Sequence, residues 1–320
     1  MSRAERTRMK PAALRAGSTL AVLSPASTPR RDEVQAGMER LQGLGYKTLR
    51  MANALKPGPL YYAGTVEQRA GDLHAAFADP QVDGIVCTRG GWGSAELLPH
   101  LDAALVRANP KAFVGYSDHT SLHLWLEREA GLVSFYGPMA ASDFARADGF
   151  DRASWLHAIG GDAPWSLTAS DGLRVLRAGV AEGTLAGGCL SLYAESLGTP
   201  YAALPASAEE PRILFLEDVG AKPYQWDRML LHLRYAGMLE HVSGIVFGDM
   251  RQCVAAEEEV WLEAAVLHAL DGFAGPIAIG LRSGHVDGGN VTLPLGVRVR
   301  LDLGEEANPR VDFLEAAVAV

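Results

Sequence analysis

Cysteine is scarce in this 320-residue chain: Cys87, Cys189 and Cys253 stand far apart, and no CxxC pair occurs. That excludes a disulfide framework and a thiolate zinc site. Positive charge is not in surplus either. Lys and Arg number 29 against 38 Asp and Glu, a formal net charge of −9, which argues against a polyanion-binding face and so against nucleic acid as a partner. No apolar run approaches the length of a membrane span. The polar, basic leader Met1–Lys10 is not followed by the apolar stretch of a secretory signal. Internal repeats and low-complexity segments are missing as well. Together these absences point to a soluble protein of the reducing cytoplasm, with no membrane contact. The rest is ordinary globular composition, 48% hydrophobic and 21% charged, in a chain long enough for two domains with their own cores.

Along the chain, apolar strands alternate with helical patterns. Strands are expected at Ser18–Pro25, Tyr46–Met51, Val82–Thr88, around Phe113 and at Val133–Tyr136. Helices are expected at about Arg31–Gly43, Thr65–Ala78, from Ala95, and over Thr120–Glu129. Short connections between alternating elements argue for an α/β domain with a parallel sheet covered on both faces. A short helix around Trp155 leads into Ala158–Gly172, polar and glycine-rich, a candidate linker. Domains are accordingly expected over 1–165 and 166–320. Beyond the linker, Leu173–Leu185 reads as a hairpin and Arg212–Leu216 as a buried strand. A helix at Gln225–Ala236, a strand at Gly244–Gly248 and a helix at Glu257–Leu270 follow. Ile277–Gly280 is another strand, and Asn290–Leu303 reads as strands about a Pro294-Leu295-Gly296 turn. This second half reads as a smaller α+β domain.

Chemistry concentrates at three places. The first is Ala112-Phe113-Val114-Gly115-Tyr116-Ser117-Asp118-His119, where a serine stands between a strand end and a helix start. A nucleophile elbow holds its serine there, with incoming helix N–H groups ready to receive an oxyanion. The spacing lacks the second elbow glycine, and Ser117 equally suits a helix cap. The second is Arg89-Gly90-Gly91-Trp92-Gly93, a glycine-dense strand–helix junction. It is neither a P-loop nor GxGxxG, and fits an anion cradle or a tight turn. The third pairs Glu217, at the end of an apolar strand, with His285 in the loop Arg282–Asn290. The carboxylate suits a ligand rim or a cap; the histidine suits a general base or a solvated loop. His119 and His123 have the i, i+4 spacing of a zinc helix but lack the glutamate of HExxH, so no metal and no cofactor is implied.

The set Leu23-Ser24-Pro25, Arg89–Gly93, Gly115-Tyr116-Ser117-Asp118 and Tyr136-Gly137-Pro138-Met139 recurs in one known family. So does its continuation: Gly187–Ser191, Leu197–Tyr201, Leu214–Asp218 and Gly284-His285. In this order the chain resembles the LD-carboxypeptidase family of serine peptidases, which includes the microcin C immunity proteins. The resemblance implies a flavodoxin-like N-terminal domain and a C-terminal domain of swivelling-barrel type, with the site in the cleft between them. It makes Ser117 the nucleophile, His285 the general base and Glu217 the carboxylate that orients it. In such a mechanism the N–H groups of Gly91 and Asp118 would form the oxyanion hole. Arg89, with Gly90 and Trp92 beside it, suits a substrate carboxylate, since a guanidinium matches that group with two parallel hydrogen bonds, or merely holds its loop. The implied reaction is removal of terminal D-alanine from murein tetrapeptides in cell-wall recycling. An immunity-type amidase acting on an aminoacyl-nucleotide analogue is the alternative, and a non-catalytic nucleotide- or sugar-binding module a third. Trp155 and Trp165, within the stretch 143–174, bear on the choice between the first two readings: they suit stacking on a nucleobase or, as such residues more often do, filling a core. A homodimer and a small peptide or peptidyl-nucleotide substrate follow from the same resemblance. The family usually has tyrosine where Trp92 stands and asparagine where Cys189 stands.

Overall fold

The computed structural model describes residues 8–319, so most of the leader Met1–Lys10 lies outside the described residues. The chain opens with β1 (Thr19–Leu23), buried from Leu20 onward. It is followed by α1 (Arg31–Gly43), which turns Val34, Gly37 and Leu41 inward at helical spacing. The strand β2 (Lys47–Arg50) is mostly exposed, as suits a sheet edge. A reciprocal capping box between Thr65 and Gln68 starts α2 (Val66–Ala78). After the buried β3 (Gly84–Cys87), the helix expected from Ala95 is a 3-10 turn, Ser94–His100. Pro99 inside it has no N–H to extend an α-helix. Asp102 then caps α3 (Ala103–Ala108).

The fully buried β4 (Ala112–Gly115) leads through a 3-10 turn, Ser117–His119, into α4 (Thr120–Trp125) and a π-helical turn, Leu126–Ala130. The buried β5 (Ser134–Tyr136) and α5 (Arg152–Gly160) complete this stretch. Strands β1 to β5 are parallel in the order β2-β1-β3-β4-β5. Such a sheet needs cover on both faces, which its near-continuous apolar strands anticipate.

The second sheet is mixed. Its strands are β6 (Trp165–Leu167), β7 (Arg174–Arg177), β8 (Val180–Cys189), β9 (Arg212–Glu217), β10 (Val242–Gly248) and β11 (Ile277–Leu281). After β8 comes α6 (Leu190–Glu195), after β9 α7 (Pro223–Tyr235), and before β11 α8 (Glu259–Ala269). The chain then supplies β12 (Leu293–Leu295) to the first sheet, antiparallel to β5, and returns with β13 (Arg298–Asp302) and β14 (Arg310–Phe313). The order in the second sheet is β6-β14-β13-β8-β9-β10-β11-β7, with β8 to β11 parallel.

Three expectations are corrected here. Leu173–Leu185 is not a hairpin: β7 pairs with β11, while β8 lies between β9 and β13. The reason is burial. From Gly183 onward β8 is buried and takes partners on both edges, whereas β7 is half exposed and finishes the sheet. The expected linker Ala158–Gly172 contains β6, because Trp165 stacks flat on Phe313 with ring centroids 4.0 Å apart. The second domain is also not continuous over 166–320. Two compact units divide the chain, Met1–Asp162 with Gly288–Gly296 and Ala316–Val320, and Ala163–Asp287 with Val297–Glu315. Burying Leu293 and Leu295 alongside β5 draws the first of these returning segments into unit one.

His119 and His123 are core residues of α4 and its entry turn. His123 Nε2 donates to the carbonyl of Gly115 at 2.8 Å, and its Nδ1 meets the Ser134 hydroxyl at 2.7 Å. Since a carbonyl only accepts, Nε2 carries the proton, and Nδ1 is left to accept from Ser134. Both ring nitrogens of His123 are thereby committed to protein partners. Burial pushes the pKa of His119 and of His123 down to about 3. Each folded value lies below the unfolded one, so the stability they contribute is complete above pH 6.5 and declines as pH falls from 6.5 toward 3. In urea unfolding across pH 7 to 5, His123→Gln is expected to show a shallower loss of stability below pH 6.5 than the parent chain. Identical pH slopes would refute this assignment.

Candidate active site

Among the described residues from Lys111 to Leu126, Ser117 alone is not buried. Its φ is +64°, a left-handed conformation that costs a non-glycine residue about 1–2 kcal/mol. An apolar strand ends, the backbone bends sharply, and a helix starts at once, which lifts one side chain out of the buried run. The Ser117 hydroxyl caps neither helical turn, so its capping role is not realised. Its N–H donates to the Tyr136 hydroxyl at 3.1 Å. Asp118, fully buried, accepts the Ser94 N–H at 2.8 Å, and burial raises its pKa.

The glycine loop after β3 lies directly against this bend. A methyl group at Gly90 would come within 2.9 Å of Ser117 Cβ and 3.0 Å of its Oγ, so only glycine lets the two backbones approach. Ser27 holds the loop from the other side. Its N–H donates to the Gly90 carbonyl at 3.4 Å, and its hydroxyl accepts the Trp92 N–H at 3.1 Å. Gly91 is exposed with φ +104°, and the Trp92 ring is partly exposed. Arg89 is exposed and forms no ion pair among the described residues. Ser117, Asp118, Gly90, Gly91 and Trp92 thus belong to one neighbourhood in the first unit.

The other two candidates meet in the second unit. Glu217 ends β9 with its side chain 1% exposed, and His285 Nδ1 lies 2.9 Å from Oε2 and 3.1 Å from Oε1. The His285 backbone N–H adds a bond to Oε2 at 3.1 Å. A carboxylate only accepts, so Nδ1 donates and Nε2 is left with the lone pair that a general base needs. Gly284, with φ +89°, makes the contact possible: a methyl there would strike Glu217 Cδ at 2.5 Å. Asp218 accepts the N–H groups of Ser191 and Val219 instead, and burial and neighbouring Glu217 raise its pKa. Cys189 is paired in register with Glu217. Burial, with Glu217 and Asp218 beside it, raises its thiol pKa well above the usual range, so it stays neutral.

Trp155 and Trp165 do not serve as stacking platforms. Trp155 is enclosed by Tyr46 and Phe144, and Trp165 is covered by Phe313. Three contributors were not anticipated from the sequence: Ser27, Tyr136 as a partner of the Ser117 N–H, and Arg69, which binds the glycine loop. Arg69 left one readable trace. It precedes Leu73 by four residues and Ala76 by seven, so a cation stands on the apolar face of α2.

The pattern describing the LD-carboxypeptidase N-terminal domain matches residues 20–137, and that describing the C-terminal domain matches residues 182–301. The chain belongs to the LD-carboxypeptidase family. It is 33% identical over 302 residues to a probable murein peptide carboxypeptidase of Bacillus subtilis, covering 93% of this chain and 92% of that one. The microcin C7 self-immunity protein MccF of Escherichia coli is 26% identical over 324 residues, covering 91% and 92%. A solved muramoyltetrapeptide carboxypeptidase from Oxalobacter formigenes superposes with a TM-score of 0.80 at 28% identity, covering 93% and 99%. For an LD-carboxypeptidase, mixed α/β architecture with two multi-stranded sheets is thus the shared fold. No helix among the described residues is long and apolar enough to cross a membrane.

The bend at Ser117 has a thermodynamic signature. Ser117→Gly is expected to be more stable than Ser117→Ala by about 1 kcal/mol, because glycine adopts positive φ without steric penalty. Urea unfolding of the two variants measures this. Equal stabilities would mean that the bend carries no strain.

Proposed function

We propose that this chain is a serine carboxypeptidase hydrolysing the amide bond to a terminal D-alanine in murein tetrapeptides. The observation that carries the proposal is Ser117 at φ +64°, half-buried at the end of a buried strand against the glycine loop. In this proposal His285, held by Glu217 through Nδ1, is its base, and that tautomer supports the reading. In this mechanism Ser117 Oγ attacks the carbonyl carbon while His285 Nε2 takes the hydroxyl proton. The N–H groups of Gly91 and Asp118 receive the oxyanion. Collapse of the tetrahedral intermediate breaks the C–N bond, and the imidazolium returns its proton to the departing D-alanine nitrogen. Water then attacks the acyl-enzyme by the same route, releasing the tripeptide acid and Ser117. Glu217 keeps Nδ1 protonated and stabilises the imidazolium. Arg89, with Gly90 and Trp92 beside it, suits the substrate carboxylate, since a guanidinium meets that group through parallel hydrogen bonds.

We extend the proposal to a flavodoxin-like first unit, supported by the parallel order β2-β1-β3-β4-β5. By family resemblance, we also assign a swivelling-barrel second unit and a cytoplasmic homodimer. The immunity-type amidase, cleaving an aminoacyl-nucleotide analogue, is the second reading. It is favoured by the likeness to MccF and weakened by the burial of Trp155 and Trp165.

Purified protein incubated with a murein tetrapeptide is expected to release D-alanine, followed by mass spectrometry. Ser117→Ala is expected to lower kcat on the order of a millionfold, and His285→Ala comparably. Turnover of an aminoacyl sulfamoyl nucleoside with an inert tetrapeptide would select the second reading. Retention of most activity by Ser117→Ala would overturn both.

A further inference from the structure

A buried guanidinium is the least expected group in the first unit. Arg69 is 2% exposed, and enclosing a charge costs several kcal/mol, a cost offset here through its two terminal nitrogens, since its Nε has no hydrogen-bond partner. Its Nη1 donates to the Pro25 carbonyl at 2.9 Å and to the Gly93 carbonyl at 2.7 Å. Its Nη2 meets Glu96 Oε2 at 2.6 Å, and the Tyr62 ring centroid lies 4.8 Å from the guanidinium carbon. A methyl group at Gly93 would fall 2.6 Å from Nη1, so that glycine admits the guanidinium. For stability alone an apolar side chain of similar volume would serve as well, since buried ion pairs rarely outdo good packing. The residue is explained by what it holds.

What it holds is the pair of loops beside Ser117. Pro25 is two residues before Ser27, whose hydroxyl accepts the Trp92 N–H, and Gly93 closes the loop containing Gly90 and Gly91. The Arg69 charge also favours the ionised form of Asp118 against the effect of burial, and Asp118 in turn accepts the N–H of Ser94, next to Gly93. Arg69 therefore fixes the end of the loop that carries the Gly91 N–H, and the Ser94 N–H bond to Asp118 ties that loop to the segment carrying the Asp118 N–H. We infer that Arg69 is a positioning residue for the oxyanion donors. It touches no substrate and acts through the Gly93 carbonyl and, one residue on, the Ser94–Asp118 hydrogen bond. The inference rests on the assignment of Ser117 as nucleophile.

Donors that bind only the transition state raise kcat and leave KM alone. Arg69→Met fills the same space without the charge and is the primary variant; Arg69→Ala is paired with added guanidinium. On a murein tetrapeptide, both variants are expected to lose on the order of 10²-fold in kcat with KM changed less than about threefold. Guanidinium ion is expected to restore part of the lost kcat to Arg69→Ala and none to Ser117→Ala. Labelling of Ser117 by a fluorophosphonate, whose phosphoryl oxygen needs the same donors, should slow in parallel. Three results would overturn the inference. They are a folded Arg69→Met with kcat near the parent value, a rise in KM at unchanged kcat, and unfolding of both variants without guanidinium rescue. If the parent chain releases no D-alanine, the proposed substrate has failed instead, and the labelling rates decide the role of Arg69 on their own.

Discussion

A single backbone dihedral governs the first unit. Ser117 adopts a conformation that side-chain-bearing residues avoid, between a strand and a helix that are both buried. Buried surroundings on each side make the bend obligatory, because neither segment can move to relieve it without exposing apolar area. The neighbours are arranged to the same end. Tyr136 takes the Ser117 N–H, His123 takes the Gly115 carbonyl just before the bend, and Gly90 keeps the facing loop free of a side chain. Strain at one residue is thus met by hydrogen bonds and packing at several others.

In the second unit the governing device is parallel pairing. Strands β9, β10 and β11 run in one direction, so their carboxyl ends share an edge. Glu217 ends β9, Gly248 ends β10, and the loop after β11 supplies Gly284 and His285. Two glycines crowd against Glu217 from the neighbouring segments. This is the edge where open α/β sheets assemble their ligand sites. The carboxylate is nearly inaccessible and accepts both the ring and the backbone of His285, which fixes the orientation of the imidazole as well as its tautomer.

Much of this was legible in the sequence, and the rest was not for identifiable reasons. Apolar runs such as Ile213–Leu216 declare a buried strand without declaring its neighbour. That is why β7 and β8 were expected to pair with each other, when β8 answers to strands far along the chain. Element type follows from local periodicity, whereas partner choice follows from which edges must be covered. The Gly-Tyr-Ser-Asp and Gly-His segments stood out because glycine there has a steric purpose, Gly115 against His119 and Gly284 against Glu217. Ser27 and Arg69 gave weaker signals, since they act through backbone carbonyls and amides that any sequence possesses. Trp155 and Trp165 left both readings open until the fold was known, since a large aromatic ring reads the same whether it awaits a ligand or fills a core.

The return of β12 to the first sheet has a consequence for how the molecule is made. Strand β5 is synthesised long before its antiparallel neighbour Leu293–Leu295, and the whole of β6 to β11 comes between them. During translation the sheet that carries Ser117 therefore remains open along one border until all of the intervening segment has left the ribosome. A nascent chain arrested before residue 293 would hold Ser117 without the last strand of its sheet, so completion of the first unit is tied to completion of the polypeptide itself.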